Sequence, residues 1–151
     1  MNFTKLHNKG KQICNPTLIP DIKWEERYGQ TSVSNGLCVF PDVYYCYVNT
    51  FLCLAYLNRR SNTTLISLVH RWAEVTGDDA NVLRKWMEYR TSLNSKDNVL
   101  ISDKPIAVTF VFMLVRHFSD IVPDMDELQE AYEEARYIID SNRLSVSLFA
   151  I

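Results

Sequence analysis

The sequence predicts an all-α fold, a compact bundle of about five helices with an irregular segment at its N-terminal end. Three observations carry that expectation. A long apolar run fills residues 42–57. Helix start signals recur at Thr63 or Thr64, Asp79, Asp103 and Asp124. From Met125 to Ile139 apolar residues return every three or four positions, as one face of a helix does. Hydrophobic residues make up 47% of the 151, with only four Gly and five Pro, so the chain has the material for one packed core. No repeat, linker or shift in composition divides it, and a single domain over residues 1–151 is expected.

Residues 1–36 are rich in Asn, Gly, Pro, Ser and Thr, and Pro16, Pro20 and Gly29 interrupt any helical run. They read as an irregular segment with one short helix near Trp24 to Tyr28, laid across the core through Leu18, Ile19, Ile22 and Trp24. The run DVYYCYVNTFLCLAYL that begins at Asp42 is apolar on nearly every face and is followed by Arg59 and Arg60, which suit a helix C-terminus. It reads as the central buried helix. At about 1.5 Å per residue, residues 43–57 fall short of a ~30 Å hydrocarbon core, and Asn49 and Thr50 break the run, so no membrane span is expected.

In the next segment Leu65, Leu68, Val69 and Trp72 fall at helical spacing, with Gly77 as the stop. Asp79 starts a helix whose apolar stripe is Val82, Leu83, Trp86 and Met87, with Tyr89 beside it. Residues 91–102 are a polar loop. Asp103, Lys104 and Pro105 form a good helix start before IAVTFVFMLVRHF. Periodicity alone leaves that run open between a buried helix and a central strand; the start signal favours the helix. Pro123 ends it, Asp124 caps the last helix, and Glu127 stands at the capping-box position. The expected buried stripe there is Met125, Leu128, Tyr132, Ala135 and Ile139. The closing LSVSLFAI alternates and is expected to dock on the body.

Several chemistries lack their usual marks. The four glycines are scattered singly, so no phosphate-cradling loop is formed, and no cofactor is expected. His7, Cys14, Cys38, His70 and His117 are isolated from one another, without the close pairs of a zinc site. No G-x-S-x-G elbow marks a nucleophile. His70 and His117 flank apolar stripes, where a hydrogen-bonded structural role is expected. The basic N-terminal stretch has no apolar run of signal-peptide length behind it, so a cytoplasmic location and reduced thiols are expected. The chain therefore reads as a non-enzymatic protein.

Two surfaces are candidates for its activity. Residues 1–118 carry fourteen Lys/Arg against ten Asp/Glu, whereas residues 119–151 carry two against eight. Residues 120–140 hold eight carboxylates and one cation, Arg136, so the last helix should present an acidic face. Asp126, Glu130, Glu133 and Glu134 are its candidate contacts. The first reading is an inhibitor, adaptor or immunity-type protein that binds and modulates another macromolecule, a protein with a basic surface, through this helix. The second reading comes from residues 69–88, VHRWAEVTGDDANVLRKWME, which resemble a helix-turn-helix unit: small Ala73 at the crossing, Gly77 in the turn, and Leu83 and Trp86 as anchors. The resemblance implies a DNA-binding regulator with Asn81, Arg84, Lys85 and Glu88 facing the major groove. Asp78 stands where an apolar plug is usual and Thr76 where a large aliphatic is usual. Charges over residues 69–90 also cancel, leaving little attraction for phosphate, so nucleic acid is the lesser expectation.

Overall fold

The computed structural model describes residues 13–14, 32–34, 37–40, 42–76 and 79–141. Among the described residues five helices form the body: α1 Val43–Arg59, α2 Leu65–Thr76, α3 Ala80–Arg90, α4 Lys104–Phe118 and α5 Met125–Ser141. The all-α expectation holds, and the run from Ile106 is helix, not strand. Ahead of α1 a small antiparallel sheet amends the irregular N-terminal reading. Its strands are β1 Ile13–Cys14, β2 Ser32–Ser34 and β3 Leu37–Phe40, in the order β1-β3-β2. Ile13 is opposite Phe40, and Ser34 is opposite Leu37. Asn35 and Gly36, between β2 and β3 in the sequence, lie outside the described residues. The expected helix near Trp24, the wrap through Leu18 to Trp24, the turn at Gly77 and Asp78, and the closing tail lie outside the described residues.

Helix α1 is the central element, buried on nearly every face from Val43 to Leu57. Its two polar interruptions satisfy themselves along the helix: the Asn49 amide donates to the Tyr45 carbonyl at 2.8 Å and the Thr50 hydroxyl to the Cys46 carbonyl at 2.7 Å. Such back-bonding lets both side chains be buried without the cost of an unmade hydrogen bond. The C-terminal end of α1 closes on Ser61 with φ 67°, while Asn62 N–H donates to the Leu57 carbonyl and Ser61 N–H to that of Asn58. This is a Schellman arrangement with serine where glycine is usual. Asn58 then ties the end of α1 to the loop before α4, donating to the Val99 carbonyl and accepting from Ile101 N–H. Among the described residues no helix is long and apolar enough to cross a membrane.

Thr64 is the cap of α2, accepting from Ser67 N–H at 3.3 Å, and the carbonyls of Ser95 and Asp97 take two further first-turn donors. Asp79 caps α3 by accepting from Asn81 and Val82 N–H. The stripe of α3 is narrower than expected. Leu83 and Met87 are buried and Trp86 half-buried, but Val82 is 52% and Tyr89 85% exposed. Among the described residues this short helix packs chiefly against α2 and α4. Helix α5 lies chiefly against α1, and α4 touches α1, α3 and α5. Edge-to-face ring pairs join the layers: Phe51 with Tyr132 at 5.4 Å and Trp72 with Phe110 at 5.5 Å.

Cys46 and Cys53 are buried thiols, not joined in a disulfide. Burial in a packed helix slows their modification. In the native protein N-ethylmaleimide should label both far more slowly than in urea, read cysteine by cysteine by peptide mass mapping. Equal native and unfolded rates would show that α1 is not buried as described.

Candidate partner-binding site

Helix α5 is held by its first turn and its inner stripe. Asp124 Oδ1 accepts from Glu127 N–H at 3.0 Å, the capping bond read from the sequence. Leu128, Ala131, Tyr132, Ala135 and Ile138 are buried, which turns the carboxylates of the opposite side away from α1. The ends of the stripe differ from the sequence reading. Met125 is 44% exposed, and Ile138 takes the deeper position while Ile139 is half-buried.

All four candidate contacts of the acidic helix line one groove of about 590 Å3, with Tyr44 from α1, Lys104 from the start of α4, and Gln129. Their states differ. Glu134 is not an outward, solvated residue: it is half-buried, and its Oε1 accepts from the Tyr44 hydroxyl at 2.5 Å, which latches α5 to α1. Glu133 accepts from Lys104 Nζ at 2.6 Å, with both side chains well exposed, so solvent screens most of that attraction. Asp126 and Glu130 lie one turn apart, both exposed, and no ion pair to either is found among the described residues. Arg136, the single cation expected on this helix, is turned to Asp140 at 3.9 Å and to the Ile101 carbonyl at 3.3 Å.

Glu127 is the surprise of the helix. It is fully buried, and burial, then the Asp124, Asp42 and Glu130 carboxylates, pushes its carboxyl up to about 7. One of the eight acidic residues is therefore turned inward and only part-ionised near neutrality. Beside it, burial and then Glu127 raise the Tyr47 phenol, whose hydroxyl has no hydrogen bond among the described residues. The sequence marked Glu127 as a cap position; nothing in its spacing separated an inward from an outward side chain.

The residues of the helix-turn-helix reading are partly consumed within the fold. Arg84 and Glu88 pair at 2.7 Å, each side chain only about a quarter exposed, and Ser95 Oγ donates to Glu88 at 2.6 Å. That hydrogen bond, with Arg84, holds the Glu88 carboxyl below its ordinary value. Asn81 and Lys85 remain exposed. Ala73, which the resemblance puts at the helix crossing, is buried. The histidines depart from their expected structural role in one case: His70 is exposed, whereas His117 is half-buried between the rings of Trp86 and Phe118. Among the described residues no three His, Cys, Asp or Glu side chains converge where a metal ion could sit.

No protein-family model matches this sequence, and comparison with curated proteins and with solved structures gives no significant match.

Proposed function

We propose that this chain is a non-enzymatic binding protein, of the inhibitor, adaptor or immunity type, that docks a basic segment of a protein partner in the groove along α5. The observation that carries the reading is the pair Asp126 and Glu130. They share one exposed face at the groove, and the nearby cations Lys104 and Arg136 are turned to Glu133 and Asp140. Two uncompensated carboxylates one turn apart repel each other, and a Lys or Arg side chain from outside removes that repulsion while gaining two charge-assisted hydrogen bonds. Gln129, also in the groove, offers a donor and an acceptor to a partner backbone. Glu133 is a rim contact in this reading, and Glu134 supports the groove from below. The field of the helix, less the inward Glu127, steers the approach.

Asp126→Lys with Glu130→Lys is the informative variant, because neither side chain holds α5 in place. In pull-downs from native extract it should slow partner association about tenfold or more at low salt, a difference that shrinks at high salt. Nuclease treatment should change nothing, and Arg84→Ala with Lys85→Ala should behave as wild type. Recovery that is lost on nuclease treatment, and lost with the Arg84 and Lys85 pair, would replace this reading with the DNA-binding one.

A further inference from the structure

A second cleft, of about 510 Å3, has a lining that shares no residue with the acidic groove. Its lining is mostly apolar, with Leu93 from the loop after α3, Ile106, Phe112 and Met113 from α4, and Met125 from the first turn of α5, alongside Thr91, Ser92 and Thr109. Met125, 44% exposed although apolar, is at its edge. Arg90 is also in the lining, and no acidic side chain is among the described lining residues.

The state of Arg90 is what gives this cleft a chemistry. Its guanidinium carbon sits 3.7 Å from the centre of the Trp86 ring, and the Tyr89 ring is 5.6 Å away. Trp86 is itself fixed, its indole N–H donating to the Met113 carbonyl at 3.3 Å. A guanidinium stacked on an indole face is oriented through its π surface, which leaves its in-plane N–H donors free for a carboxylate. Among the described residues no hydrogen bond or ion pair takes them up; the nearby Glu88 is paired with Arg84.

We propose that this cleft is a binding site for a small amphipathic carboxylate, its aliphatic body on Ile106, Phe112, Met113 and Met125 and its head on the fork of Arg90. The volume falls in the range of small-ligand sites, a few hundred to about a thousand Å3. The aliphatic body supplies affinity by leaving water. The head supplies selection, since Arg90 gains a bidentate partner only from an anion. This site does not rest on the acidic groove, which would repel the same ligand.

Decanoate and 1-decanol are suitable probes, followed by the methyl signals of Ile106, Met113 and Met125 in nuclear magnetic resonance spectra of the whole chain. Decanoate, below its micelle concentration, should shift these signals saturably and bind about tenfold more tightly than 1-decanol. Arg90→Gln, checked for an unchanged circular dichroism spectrum, should weaken decanoate about tenfold and leave 1-decanol unchanged, with Arg90→Lys intermediate. Equal affinity for the two probes, no loss in Arg90→Gln, or the absence of saturable shifts at these methyls would overturn the proposal.

Discussion

Replacing Phe51 or Phe110 by alanine lowers the stability of the fold by about 3–5 kcal/mol and moves the urea midpoint accordingly, the larger end applying where the neighbours cannot collapse into the space. Both rings are fully buried, and each meets an aromatic partner on another helix: Phe51 on α1 with Tyr132 on α5, Phe110 on α4 with Trp72 on α2. The substitution therefore removes transferred apolar surface, an edge-to-face contact and a junction between layers together. For a domain of this size such a loss is a large fraction of total stability. An unchanged midpoint for either variant would contradict the central position of α1 or the helical packing of α4.

The second large effect is a pH dependence set by Glu127. Its folded carboxyl titrates near 7 against an ordinary 4.5, the direction that burial and the carboxylates of Asp124, Asp42 and Glu130 dictate. Below 4.5 the group is protonated in folded and unfolded chain alike and contributes nothing to the dependence. Between 4.5 and 7 the unfolded chain releases the proton first, so stability falls as pH rises, and above 7 the full penalty stands, up to about 3 kcal/mol. Glu127→Gln keeps the shape and removes the charge. Its stability should fall less than that of the wild type between about pH 5 and about pH 8, by about 2–3 kcal/mol in urea titrations. Parallel curves for the two proteins would show that Glu127 is solvated in the folded chain.

Where local punctuation exists, the sequence marks the helix starts, although Asp103 precedes α4 without a side-chain capping bond. Asp79 and Asp124 cap the helices they were expected to cap, Thr64 fills the role offered to Thr63 or Thr64, and Pro105 marks the start of α4. Each of these depends on residues within four positions of one another. The Asn35-Gly36 dipeptide is equally local, but the Pro and Gly content around it reads as irregular chain. What stayed illegible depends on tertiary distance. The Tyr44 to Glu134 latch joins residues 90 apart in sequence, and Lys104 meets Glu133 across 29. The inward turn of Glu127 follows from what α1 brings against the first turn of α5. The four candidate acidic residues were found because a helix places them on one side; their separation into open, screened and latched carboxylates belongs to the packing.

The reading of Asp126 and Glu130 as a docking face is tested most directly by contact itself. A benzophenone amino acid placed at position 130, and separately at position 85, is irradiated in native extract at low and at high salt. The expected result is a discrete protein adduct at position 130, carrying a basic segment at the crosslink and fading as salt rises, with no adduct at position 85. Nucleic acid crosslinked at position 85, with nothing captured at position 130, would contradict the reading and assign the working surface to α3.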